Sequence, residues 1–137
     1  MKRILLAALI AMLLILTGCS SLNGSDDISA FITANEELLT DAAVYGQYHR
    51  ALILPEVYNV HAEHDCIVFV TGASGILTDT RCGFYYSYNG EPAGAGYANS
   101  WRLTAEGDSF FWRDNLGRMD YHTRRLFGNW YYFEGTW

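Results

Sequence analysis

Residues 109–136 read SFFWRDNLGRMDYHTRRLFGNWYYFEGT, and this stretch decides the fold. Three runs rich in aromatic residues, Ser109–Arg113, Met119–Arg125 and Trp130–Thr136, are separated by turns at Leu116-Gly117 and Phe127-Gly128-Asn129. Short runs of this kind broken at glycine predict antiparallel hairpins. Folding about Leu116-Gly117 sets Trp112 opposite Tyr121 and Arg113 opposite Asp120. A three-residue loop at Phe127-Gly128-Asn129 then sets Phe133 opposite Thr123 and Tyr131 opposite Arg125. A two-residue loop would turn Trp130, Tyr132 and Glu134 inward, burying a carboxylate without an evident partner, which is costly. A preceding strand within Asn99–Thr104 folds back about Glu106-Gly107, with Trp101 opposite Trp112 and Leu103 opposite Phe110.

Strand side chains alternate between the two sides of a sheet, so this register sorts them. Trp101, Leu103, Phe110, Trp112, Met119, Tyr121, Tyr131 and Phe133 fall on one face, the expected core. Arg102, Phe111, Arg113, Asp120, His122, Arg124, Trp130, Tyr132 and Glu134 fall on the other, expected to face solvent.

Working toward the N-terminus, further strands are expected at Leu77–Tyr88, Cys66–Thr71, Val57–Ala62 and Tyr48–Leu54. Before them, Ile28, Phe31, Ile32, Leu38, Leu39, Ala42 and Ala43 recur at helical spacing within Asp27 to Val44. That pattern predicts an amphipathic helix, which Thr33-Ala34-Asn35 either breaks or replaces by capping a shorter helix that starts at Asn35. The expected class is α+β, mostly β: an antiparallel meander sheet or small barrel with one N-terminal amphipathic helix on its aromatic face. Half of the 137 residues are apolar, which argues against disorder, and the length suits a single domain over residues 28–137.

The first residues are of a different kind. Met1-Lys2-Arg3 is followed by an uncharged apolar run from Ile4 to Leu16 and then by Thr17-Gly18-Cys19. A basic start and a short apolar run read as a secretory signal, too short to span about 30 Å of hydrocarbon comfortably. Leu16-Thr17-Gly18-Cys19 resembles the lipobox of bacterial lipoproteins: an aliphatic residue, two small residues, then cysteine. The resemblance covers only this N-terminal segment. It implies that residues 1–18 are a signal peptide, that Cys19 is lipidated and becomes the new N-terminus, and that the protein is held to the extracytoplasmic side of a bacterial membrane. More than one acyl chain is needed for stable anchoring. Residues 19–27, polar and containing Gly24, read as a flexible tether. The segment from Gly83 to Pro92 with the Trp-rich end is similar to small uncharacterised Firmicutes lipoproteins, which implies no activity.

In the mature chain seven arginines and no lysine stand against fifteen acidic residues, a net charge near −8 with histidines neutral. Nucleic acid and anionic lipid headgroups are disfavoured as partners. Two cysteines besides Cys19 remain, Cys66 and Cys82. Gly72-Ala73-Ser74-Gly75 between them is a turn signal, and a hairpin about Ser74 would set Cys66 opposite Cys82. An oxidising compartment then favours a disulfide; the alternative is two buried free thiols.

Candidate chemistry is sparse. His61-Ala62-Glu63-His64-Asp65 holds metal-type ligands, but a strand directs His64 away from the other three, so a polar strand end is the preferred reading and no metal site is assigned. Gly72-Ala73-Ser74-Gly75 lacks the Lys-Ser/Thr ending of a phosphate loop, Gly94-Ala95-Gly96 lacks the third glycine of a dinucleotide fingerprint, and neither a nucleophile elbow nor His-Glu-x-x-His occurs. A non-enzymatic protein with no cofactor is expected. The candidate ligand-binding residues are Arg102, Phe111, His122, Arg124, Trp130 and Tyr132, because guanidinium groups and flat rings on one sheet face suit a glycan, peptide or protein partner. The alternatives are a carrier holding a small apolar ligand in a barrel or cupped sheet, and a structural envelope protein.

Overall fold

A computed structural model describes Leu22, residues 24–74 and residues 79–136. The signal segment and Cys19 lie outside the described residues. Among the described residues three helices, α1 (Ser25–Ala34), α2 (Glu36–Tyr45) and α3 (Tyr48–Ala51), precede seven strands. These are β1 (Asn59–Ala62), β2 (Cys66–Ser74), β3 (Thr80–Ser87), β4 (Thr104–Glu106), β5 (Ser109–Arg113), β6 (Asp120–Phe127) and β7 (Trp130–Thr136). One antiparallel sheet runs in the order β1-β2-β3-β7-β6-β5-β4. The sheet is open, with β1 and β4 at its edges, so the α+β meander holds and the barrel does not.

The C-terminal hairpins keep the expected register. Trp112 pairs with Tyr121 and Arg113 with Asp120. Thr123 pairs with Phe133 and Arg125 with Tyr131. The last turn itself holds two residues, Gly128 (φ 52°) and Asn129, because Phe127 pairs with Trp130. A bulge between Arg125 and Phe127 absorbs the extra residue and restores the register of a three-residue loop. At Gly107-Asp108 the pairing is Glu106 with Ser109 and Thr104 with Phe111, two residues from expectation, so the sorting into faces survives.

The larger correction concerns which side is covered. Both sides of the sheet centre are buried. On one side α1 and α2 place Ile28, Ile32, Leu39, Ala42 and Ala43 over Ile67, Phe69, Phe84, Trp130 and Tyr132. Phe69 stacks on Phe84 at 4.9 Å, and Trp130 meets Phe84 and Tyr86 edge-on at 5.8 and 4.9 Å. The helices thus lie on the face expected to meet water, and Trp130 and Tyr132 are core residues. The opposite side collects Val68, Val70, Tyr85, Tyr121, Tyr131 and Phe133, covered by the segment Ala93–Tyr97. Tyr97 lies so close over Gly135 that a Cβ there would sit 2.4 Å from its ring. A buried hydrogen-bond chain fastens this cover. Ala93 N–H donates to the Tyr85 hydroxyl (2.9 Å), and Thr123 Oγ1 donates to Tyr132 O (2.7 Å). The single Tyr85 hydroxyl proton is therefore the one shared with Thr123 Oγ1 at 2.8 Å.

The helical pattern divides where Thr33-Ala34-Asn35 offered a break, at Asn35 (φ −124°), whose side chain donates to Phe31 O at 2.9 Å and closes α1. Three smaller expectations change. Residues 25–27, expected in the tether, form the first turn of α1, where Asp26 and Asp27 suit the positive end of the helix dipole. Tyr48–Leu54 is not a strand: it contains α3, fastened by an Arg50–Asp41 ion pair. Trp101 belongs to a 3₁₀ turn, Ser100–Arg102, and is 76% exposed rather than buried.

The disulfide is also overturned. Gly72-Ala73-Ser74 continues β2 instead of turning, and the strand returns only at Thr80. Cys66 therefore pairs with Ser87, and Cys82 with Gly72. An offset of five residues along the strand separates them by roughly 16 Å at about 3.3 Å per residue, beyond the reach of a bridge. Both are free thiols.

Candidate functional site: an aromatic and charged groove

The helices cover the β3–β7 centre and stop short of β4 and β5. There the same sheet face continues as an open groove of about 700 Å³. Cross-strand pairing builds its floor as one row: Thr104, Phe111, His122 and Glu134 on β4, β5, β6 and β7. Arg113 and Asp120 form the next pair, and Arg102 and Glu106 complete the rim. Three of the expected ligand-binding residues, Arg102, Phe111 and His122, thus line one concavity, with Glu134 at the end of their row.

Phe111 and His122 stack face to face, centroids 4.6 Å apart and rings 17° from parallel. His122 meets Tyr132 edge-on at 6.1 Å. The Tyr132 hydroxyl donates to Glu134 Oε2 at 2.9 Å, so a ring buried under the helices supports a carboxylate in the groove. Arg113 Nε donates to Asp120 Oδ1 at 2.6 Å. Partial burial holds the His122 pKa below its ordinary value, and Arg124 pushes in the same direction against the opposing pull of Glu134. Its imidazole is therefore neutral at pH 7. Burial, reinforced by the bond to Glu134, raises the Tyr132 pKa and keeps that hydroxyl protonated.

The other three expected ligand-binding residues do not line this groove. Trp130 and Tyr132 are buried beneath α1 and α2. Arg124 shares their face but donates to Ser25 Oγ and lies 3.9 Å from the Asp26 carboxylate, pinning the start of α1 to β6. Sequence reasoning placed Arg113, Asp120 and Glu134 on this face without assigning them to the site, and missed Thr104 and Glu106. The Gly107-Asp108 turn was the available signal for the last two.

A second open concavity of about 540 Å³ lies between Glu63–Asp65 and the segment 94–102, beside Trp112. The Arg102 guanidinium sits 4.8 Å over the Trp101 ring at its border. His61 Nε2 is 3.5 Å from Glu63 Oε1, while His49 is exposed on α3. No group of three or more His, Cys, Asp or Glu among the described residues is arranged to hold a metal ion. No helix among them is long and apolar enough to cross a membrane. Comparison of the chain with protein-family models, curated proteins and solved structures finds no match.

Proposed function

We propose that this protein is a lipoprotein anchored through Cys19 on the extracytoplasmic side of a bacterial membrane, and that its folded part is a non-enzymatic binding module using the groove over β4–β7. The observation that carries this reading is the uneven helical cover. A two-sided sheet is sealed over its centre, yet the end bearing Phe111, His122, Arg102 and Glu134 is left open. Concave, partly aromatic surfaces with a few convergent polar groups are the usual form of a recognition site. Two carboxylates of the groove are already tied, Asp120 to Arg113 and Glu134 to Tyr132. That arrangement suits the holding of a ligand better than proton transfer. A glycan, peptide or protein partner fits this surface. The open, charged rim favours it over carriage of an apolar molecule, and the acidic chain disfavours nucleic acid.

The test is made in the native host with the full chain. Cys19→Ser is expected to move the protein from the membrane to the soluble fraction. Arg102→Ala with Phe111→Ala, both exposed positions, is expected to leave the circular dichroism unchanged and to release the protein's ligand. Unchanged ligand retention in that double variant removes the groove from consideration and leaves a structural envelope role.

A further inference from the structure

We propose that the ligand of the groove is an uncharged saccharide, with a sugar ring stacked on the free face of Phe111; this rests on reading the groove as a binding site. Phe111 has two ring faces, and His122 occupies the one turned toward β6 at 4.6 Å. The other turns toward β4, where its partner in the row is the small, exposed Thr104. Phe111 is accordingly 37% exposed although it lies within a four-strand row. A flat, uncovered ring beside a shallow floor suits the C–H face of a pyranose. An extended peptide would seek the free backbone of the edge strand, but β4 offers only three residues.

The rim supplies the rest of the chemistry. Guanidinium and carboxylate groups are planar and two-pronged, and so match pairs of neighbouring hydroxyls. Here they come as Arg102, Glu106, Arg113, Asp120 and Glu134. Arg113 and Asp120 neutralise one another, leaving Arg102 against Glu106 and Glu134. An anionic polymer would meet excess carboxylate, whereas uncharged hydroxyls find donors and acceptors of both kinds. The volume of about 700 Å³ lies within the roughly 300–1,000 Å³ of small-ligand sites.

The experiment uses the full-length, host-processed protein in detergent micelles and titration calorimetry. The probes are neutral tetrasaccharides of glucose, mannose and N-acetylglucosamine, a galacturonic acid tetramer, and a lysine-containing tetrapeptide. The expected result is binding of a neutral tetrasaccharide that weakens about tenfold or more, a loss of roughly 1.4 kcal/mol, in Phe111→Ala. The same loss is expected in Thr104→Trp, whose indole would occupy the free ring face from an exposed position. Unchanged circular dichroism separates both effects from unfolding. Binding of the acidic tetramer or the tetrapeptide alone, lost in Phe111→Ala, overturns the saccharide assignment and leaves the groove as a binding site. Absence of saccharide binding, or saccharide binding indifferent to both variants, overturns the saccharide assignment, and the groove itself is then decided by ligand retention in Arg102→Ala with Phe111→Ala.

Discussion

Replacing Thr123 by valine exchanges one hydroxyl for a methyl group of nearly equal size at a site with no solvent exposure. The lost atom accepts from the Tyr85 hydroxyl at 2.8 Å and donates to Tyr132 O at 2.7 Å. Volume is conserved, so the cost comes from polarity alone: a buried Tyr85 O–H is left without its acceptor. An orphaned buried group costs about 1–3 kcal/mol. Tyr85→Phe acts from the other end of the chain and orphans the buried Ala93 N–H, which donates to that hydroxyl at 2.9 Å, at a similar cost. In the double variant only the Ala93 N–H is left over, so the two losses do not add. The expected coupling is about 1–2 kcal/mol. Each single loss of about 2 kcal/mol lowers the melting temperature by the order of 10 °C in a domain of this size. Urea unfolding followed by tryptophan fluorescence measures all four proteins. Single variants within about 0.5 kcal/mol of the parent, or strictly additive losses, would refute a continuous chain from Ala93 to Tyr132.

Two further outcomes are expected. Alkylation under denaturing conditions without reductant should label both Cys66 and Cys82, and in the native protein Cys66 should react far more slowly, because burial first and the neighbouring Asp65 and Glu63 next raise its pKa; a mass two hydrogens lower, restored by reductant, would contradict the β2–β3 register. The His122 pKa is depressed in the folded state, so near and below its ordinary value of 6.5 the unfolded chain binds the extra proton more readily. The stability linked to neutral His122 is thus present above about pH 6.5 and lost as the pH falls through the lower folded value. His122→Gln should flatten that part of the pH–stability curve, and an NMR titration giving a raised His122 pKa would contradict it.

How much of this was legible in the residues is best seen strand by strand. The register of β5, β6 and β7 followed from Leu116-Gly117 and Phe127-Gly128-Asn129, because glycine turns of fixed length leave few pairings. The side that meets water did not follow. Trp130-Tyr131-Tyr132-Phe133 is a continuous aromatic run, as Cys66–Val70 is a continuous apolar one. Unbroken runs mark strands buried on both faces. The single carboxylate at Glu134 argued for solvent, whereas Tyr132 supplies it with a hydrogen bond at the border of the helical cover. Arg102, Phe111 and His122 line the groove because they lie beyond that cover. Arg124 was misread because its partner Ser25 is 99 residues away in sequence and reaches it only through the docking of α1. The separation of Cys66 from Cys82 depended on Gly72-Ala73-Ser74 remaining in strand, which its turn-like composition concealed.

The most direct test of the open groove is a map of backbone amide shifts in the isotopically labelled, full-length protein in micelles, recorded as solubilised fragments of its own cell envelope are added. The largest changes are expected along Thr104, Phe111, His122 and Glu134, with β1 and α3 unmoved. Changes centred instead on the segment 94–102 or on the exposed apolar residues Val44, Tyr45, Leu52 and Ile53, or no change at any concentration, would contradict it.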